Sequence, residues 1–443
     1  MMNDLTASPF LRLPQAARSI ALAACGMALS MTGCSSVFLF SGSPDLNDTG
    51  RRQVVQPAIV IEANTISQNN SSGIRIRGDL PVRIDSCEIR ANGRAGIRAE
   101  RAALLTVSGT TIARNGASGV AADNGSRLHV RASRIYRNDQ GGIRFRKGGT
   151  AGREPAVLTV TKSSIYRNGQ GGIQVVTDPG AGVDFLIAQS RIRRNRKTGI
   201  RIDNNVRSII RNNEISQNGT AGIALYATAA PPPQLDLFEN RISFNRGAGV
   251  FVHSGISGRR GISNNWIHNN QRAGIACGLW GMDGLRNVNL GIFHNTIVAN
   301  GSNEEGAGIR NDGNGRVVIR NNIIAYNFTT GVITGNCRQA THNLLFANGE
   351  TSIDRDSSRD KSFRIDKVQY AGCSGRQWGD VLAPPRFTDP DGYDFSLRPD
   401  SPARNRAAQL PGSYFRSFAG RHLGALVRPP ASYRRPTKKR GAP

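Results

Sequence analysis

Asn64-Thr65-Ile66-Ser67-Gln68-Asn69, followed after a short gap by Gly73-Ile74-Arg75-Ile76-Arg77, sets a cadence that runs through most of this chain. A small polar residue or Asn leads, Ile follows two places on, Asn three places later, and Gly-Ile or Gly-Val closes the unit. The Ile recurs at 89, 112, 135, 165, 192, 215, 242, 267, 297 and 324, and the Asn at 92, 115, 138, 168, 195, 218, 245, 270, 300 and 327. A worn last copy spans Asn343 to Asn348. The Ile-to-Ile step stays between 21 and 30 residues. Self-similarity at such a period means a stacked solenoid, because one repeat cannot bury its apolar face alone.

The repeats read as strands. Gly142-Ile143-Arg144-Phe145-Arg146 and Gly249-Val250-Phe251-Val252-His253 alternate with a period of two, which puts the apolar residues inward and the others outward. A further strand precedes each cadence, marked by Ile61, Ile84, Val107, Val130 and their successors. Short strands in a fixed order pair in parallel with the turns above and below. The fold class is all-β: a single-stranded right-handed parallel β-helix of about 12 coils, with a C-terminal cap. At a strand spacing of ~4.8 Å that is a rod about 55 Å long. Identical residues at one coil position then form ladders, so the asparagines read as structural amides bonding from coil to coil. Gly before the inward Ile marks a position needing either open φ or a tight approach.

These repeats resemble the right-handed parallel β-helix, or pectin-lyase-like, superfamily, in the lineage with short Asn- and Gly-Ile-rich (PbH1) repeats. The resemblance covers residues 57–348. Downstream, Pro385-Arg386-Phe387-Thr388-Asp389, Asp394-Phe395-Ser396-Leu397, Ser401-Pro402-Ala403-Arg404-Asn405 and Leu423-Gly424-Ala425 resemble the closing segment of exported β-helix proteins. There the last coils are covered so that no sheet edge stays open. Residues 349–428 are therefore expected to be the cap, and 429–443 a basic tail.

The N-terminus reads as an export signal over 1–33. Arg12 and Arg18 precede an apolar stretch from Ile20 to Met31, and Met31-Thr32-Gly33-Cys34 resembles the lipobox of bacterial lipoproteins. The resemblance implies lipidation of Cys34 and an extracytoplasmic, lipid-anchored protein, in the outer membrane or periplasm of a Gram-negative source. A plain cleaved signal peptide remains the alternative. Residues 34–56 read as a tether. Cys87 and Cys277 fall roughly 34 Å apart along the stack, too far to bridge. Cys337 and Cys373 both follow the last full cadence, and an oxidising compartment would let them pair. No Cys/His spacing suggests zinc, and neither a metal nor another cofactor is expected.

A formal net charge of +27 is large for an exported protein, and it is uneven. Between Arg90 and Arg201 there are 21 Lys or Arg against 6 Asp or Glu, an excess of +15. Arg114, Arg137, Arg167 and Arg194 occupy one coil position on consecutive turns. Arg75, Arg98, Arg144 and Arg201 share the first outward position after Gly-Ile, with Arg77 and Arg146 in the second. Stacked like charges repel unless counter-anions bind. Solvated arginines that keep a long sheet surface soluble are the bland alternative. The functional reading is a track for an envelope polyanion, above all an acidic polysaccharide. Nucleic acid is set aside, since the chain carries an export signal and no base-stacking module. The oligomeric state is left open.

Many proteins of the family that this chain resembles are lyases, hydrolases or epimerases acting on uronic-acid polymers. Such chemistry needs a carboxylate neutraliser, a base for the C5 proton and an acid for the leaving oxygen. The second outward position supplies Asp203, Tyr226 and His253 on successive coils, with Arg201 on the strand of Asp203 and Phe251 beside His253. Arg201 would neutralise, His253 act as base and Tyr226 as acid. The family's own signatures are missing: no Asp-Pro-His-Asp, no Gly-His-Gly with paired aspartates, and no dense Asp cluster for calcium. His129, His268, His294 and His342 each stand alone and read as surface or turn residues. The sequence thus leaves three readings: a polysaccharide binder, a uronate lyase or C5-epimerase, and a purely structural envelope protein.

Overall fold

The structure, a computed structural model, describes residues 30–32, 37–40 and, outside the loops that join successive coils, 59–349; beyond these it describes 369–371, 377–408, 410 and 422–425. The expected lipidation site Cys34, the cysteine Cys373 of the expected bridge, and the 429–443 tail lie outside the described residues. Within the stretch read as signal and tether, strands Ser30–Thr32 and Val37–Phe40 stand in parallel register with Thr65–Ser67 and Ile74–Arg77.

The chain divides into two compact units, Met1–Phe185 and Leu186–Pro443. Both are β-solenoids with three strands per coil. In the first unit, one coil is Leu104–Ser108, Thr111–Ala113 and Val120–Asp123, and the next is Arg127–Arg131, Arg134–Tyr136 and Ile143–Lys147. The first strands form sheet one, the second sheet two and the third sheet three. Pairing is parallel and in register: Ile112 faces Ile89 and Ile135, and Val120 faces Ile97 and Ile143. The second unit repeats this pattern with Ile215 between Ile192 and Ile242, and Ile223 between Ile200 and Val250. Every one of these residues is fully buried.

The architecture is the expected right-handed parallel β-helix, with about ten turns rather than twelve. The end coils account for the difference. The opening strand Ile59–Glu62 is nowhere buried, and the closing coil has strands of only two residues at Ala340–Thr341 and Tyr370–Ala371.

Each coil bends sharply at both ends of its second strand, and one residue at each bend is left-handed. In the first unit these are Ala63, Ser86, Gly109, Ala132 and Lys162 at one corner, and Gln68, Ala91, Arg114, Arg137 and Arg167 at the other. All have φ between 50° and 59°, at a cost of about 1–2 kcal/mol for each non-glycine residue. The residue after each bend offsets that cost by hydrogen bonding. Asn115 donates its side-chain amide to Asn138 Oδ1 at 2.9 Å and to the Ile89 carbonyl at 3.3 Å; its own Oδ1 accepts from the amide and the backbone of Asn92 at 2.9 and 3.1 Å. All four capacities of the side chain are filled. A second ladder follows the other corner, built of hydroxyls at Thr110 and Ser133 and of asparagines from Asn213 to Asn343.

Of the two reasons for the recurrent glycine, tight approach is the right one. A Cβ on Gly119 would sit 2.5 Å from Ile135 Cγ2 and 2.8 Å from the Gly142 carbonyl oxygen.

In the second unit the cap folds over sheet two. Its antiparallel pair, Phe387–Asp389 with Asp394–Leu397, brings Phe387 and Phe395 onto Trp266, Val298, Ile323, Ala325 and Leu344. Both ladders end in this region. Asn348 donates to Gln369 Oε1 at 2.6 Å, and the backbone N–H of Asn343 donates to buried Asp380 at 2.8 Å. The cap corrects two histidines. His268 and His294 are buried rather than on the surface, because the cap covers the face on which they stand, although His294 does occupy a turn, at the left-handed bend (φ 51°). His268 packs against Tyr393 and Phe395, and His294 Nδ1 lies 3.1 Å from the His422 carbonyl.

Candidate functional site

The register carries the sheet-three side chains of the first unit outward in columns: Arg75 faces Arg98, Arg77 faces Glu100, and Asp123 faces Arg146. The alternation leaves a carboxylate among the arginines. Glu100 accepts from Arg75 Nη2 at 3.0 Å, from Arg77 Nη2 at 3.0 Å and from Arg98 Nε at 2.6 Å. Burial opposes the charge on Glu100, yet the hydrogen bonds from Arg75 and Arg77 prevail and hold its pKa below the usual carboxylate value. Arg146 stands 3.7 Å from Asp178. Much of the sheet-three arginine column is thus neutralised within the protein. Sequence reading missed Glu100 as the counter-ion of this column.

The corner column behaves differently. Arg114, Arg137 and Arg167 sit at the left-handed bend, directly before the buried asparagines of the ladder, and all three side chains are exposed. None of them forms an ion pair with any described residue. The bend turns each Cβ away from the core, so the chain is committed to projecting these charges into solvent at a rise of ~4.8 Å. Beside them on sheet two, Tyr136 and Tyr166 stack with ring centroids 4.8 Å apart and planes 7° from parallel. Sequence reading missed this pair, although the tyrosines follow corresponding isoleucines. Arg194, in the second unit, takes the same bend (φ 56°) and donates Nε to Gln217 Oε1 at 2.6 Å.

The four residues proposed for catalysis meet on sheet three of the second unit. Ile200–Asp203 pairs with Ile223–Tyr226, setting Asp203 opposite Tyr226. Arg201 Nε donates to both oxygens of Asp203, at 2.9 and 3.1 Å, and its guanidinium carbon lies 4.6 Å from the centre of the Tyr226 ring. The His253 ring is 5.6 Å from that of Tyr226, and Phe251 stands 5.8 Å from Tyr226 on the adjoining strand. Asp203 is buried and fixes Arg201 through Nε alone, which directs the two terminal nitrogens elsewhere. Burial lowers the pKa of His253, keeping the imidazole neutral in neutral solution. The arrangement joins a fixed cation, a phenol and a neutral base in one continuous row.

Buried Cys87 and Cys277 are both free thiols, and burial, with a smaller contribution from Asp312, pushes that of Cys277 up to about 12. Among the described residues no three His, Cys, Asp or Glu side chains gather to hold a metal ion.

The profile of the right-handed beta helix region matches residues 47–153 and 153–287, more than half of the chain. The chain belongs to the right-handed β-helix family. Among solved structures this β-helix protein is similar to the periplasmic alginate epimerase AlgG, at 16% identity over 58% of this chain and 76% of the other, with a TM-score of 0.37. It is also similar to pectate lyase Pel9A, at 13% identity over 90% of this chain and 85% of the other, with a TM-score of 0.36. No curated protein matches it.

Proposed function

We propose that this β-helix protein is an extracytoplasmic, lipid-anchored binder of acidic polysaccharide, held along the basic corner of its first unit. The observation that carries this reading is the Arg114–Arg137–Arg167 column. Three exposed guanidinium groups rise one coil at a time without carboxylate partners among the described residues, while Glu100 satisfies its arginine neighbours internally. A coil rise of ~4.8 Å is close to the length of one sugar unit, so an extended uronate chain can present one carboxylate per coil. The export signal and the lipobox-like Met31-Thr32-Gly33-Cys34 support the compartment.

Affinity electrophoresis through gels containing alginate, pectate or a neutral glucan tests the proposal. The intact chain is retarded by the acidic polymers alone, and Arg114→Gln/Arg137→Gln/Arg167→Gln relieves the retardation. Equal retardation by the neutral glucan would end the reading.

A second reading has its own observation, the Arg201–Tyr226–His253 row. In a uronate lyase, Arg201 would meet the substrate carboxylate, His253 remove the C5 proton and Tyr226 protonate the departing oxygen. Such an enzyme produces unsaturated sugar ends with a strong ultraviolet absorbance, lost in His253→Ala and Tyr226→Phe. An epimerase would instead change the uronate composition seen by NMR. No new absorbance and no changed composition would leave the binder alone.

A further inference from the structure

Sheet one of the first unit carries a trough that neither the basic corner nor the catalytic row uses. Three neighbouring strands build it: Pro81–Asp85, Leu104–Ser108 and Arg127–Arg131. Register sets their outward side chains in a grid. Leu104 lies between Pro81 and Arg127, Thr106 between Arg83 and His129, and Ser108 between Asp85 and Arg131. The middle row is short and the rows on either side are long. The result is an open trough of about 560 Å³. It runs along the strands rather than along the stack. Its long walls stand two strand spacings apart, roughly 10 Å, and Arg127 to Arg131 spans about 13 Å.

The lining changes character along its length. Pro81 and Leu104 give one end an apolar floor; Thr106 and Ser108 give the other end hydroxyls. Charge is one-sided. Arg83 is paired with Asp85, and Ser108 Oγ also donates to Asp85, at 2.9 Å, so the Arg83 wall is neutral. The opposite wall presents Arg127 and Arg131 on either side of His129, and Arg131 forms no ion pair with a described residue. A flat apolar patch, two hydroxyls and a cationic wall in a space of this size match one sugar ring bearing a single anionic group. A ring at the polar end sets its hydroxyls against Thr106 and Ser108 and its anion against Arg131, with the apolar end left for a neighbouring unit or substituent.

We propose that this trough is a separate binding site for one anionic sugar residue, carboxylated or phosphorylated, lying along the strands of sheet one. It does not depend on the corner column, which lies on the other side of the bend at Gly109 and Ala132.

Saturation-transfer NMR on the full chain tests it, with glucuronate, glucose 6-phosphate, glucose and inorganic phosphate as separate probes. The two anionic sugars are expected to take up saturation on their ring protons, and glucose is expected to take up little. Whichever anionic sugar gives the stronger signal identifies the anion. Thr106→Trp fills the middle row and abolishes the signal, while Arg131→Gln weakens apparent affinity roughly tenfold, the size of one charge-assisted hydrogen bond. The corner variant Arg114→Gln/Arg137→Gln/Arg167→Gln keeps the trough signal intact even where polymer retention is lost, which separates this site from the proposed function. Equal signals from glucose and glucuronate, or signals unchanged in Arg131→Gln, overturn the proposal. So does competition by inorganic phosphate alone at the same concentration as glucose 6-phosphate, which would reduce the site to an anion contact.

Discussion

Asn218 shows what one residue contributes to a stack of this kind. It is fully buried, donates to Asn245 Oδ1 at 2.9 Å and to the Ile192 carbonyl at 3.2 Å, and accepts from the amide and the backbone of Asn195 at 3.0 and 3.2 Å. Asn218→Ala removes a partner from four buried groups at once and is expected to lower stability by about 2–4 kcal/mol, measured by urea unfolding. Arg137 is the opposite case. It occupies a left-handed bend that glycine adopts without strain, and its side chain is exposed. Arg137→Gly should leave stability unchanged or raise it by up to about 1 kcal/mol while weakening retention on acidic polymer. A residue kept for folding would show the reverse. The role of the asparagines was legible in the sequence because an amide at a fixed coil position has one economical use. The bend at Arg114, Arg137 and Arg167 was not, since left-handed φ in a non-glycine residue leaves no mark in composition.

At the scale of elements, two parts of the molecule depend on ionisation. Glu100 holds three arginines from two strands of sheet three. Its folded pKa is lowered from 4.5, so its contribution is complete above that value and is lost as pH falls through the folded pKa. The cap responds in a higher window. His268 is held near a pKa of about 3 by burial and by the charge of Arg241, and His294 near about 4 by burial. Arg241 Nε donates to His268 Nε2 at 3.1 Å, which requires the neutral ring. Protons bind the unfolded histidines first, from about pH 6.5 downward, so stability of the second unit falls through that range. Trp266 stands 5.8 Å from Phe395 in the same cluster. Its emission should report cap release between pH 6 and 4, and a flat profile there would contradict the burial of these two histidines. Sequence reading left both as surface or turn residues, because nothing in a lone His at a strand end announces which coils a distant cap will cover. Of the residues that do the covering, Phe387 and Phe395 were visible only as a resemblance in a closing segment, and Tyr393 was not singled out.

Across the whole molecule the period of the Ile and Asn columns was enough to give the sheets, their parallel register and the inward face. A solenoid repeats the same local decision at every coil, so small errors do not accumulate. The number of regular turns was overestimated because worn copies at both ends keep the sequence cadence while losing strand length and burial. The charge was harder to read. A net +27 already subtracts Glu100, Asp178 and Asp203 but says nothing of which arginines they neutralise, and that only the structure reveals. What remains after those pairs is a more local field, concentrated at the corner bends of the first unit. The most direct test is the affinity of the intact chain for a soluble uronate polymer over a series of salt concentrations. The account predicts that log affinity falls steadily as log salt rises, with a shallower slope in Arg114→Gln/Arg137→Gln/Arg167→Gln and no binding of a neutral glucan. An affinity indifferent to salt, or a slope the three substitutions leave unchanged, would contradict it.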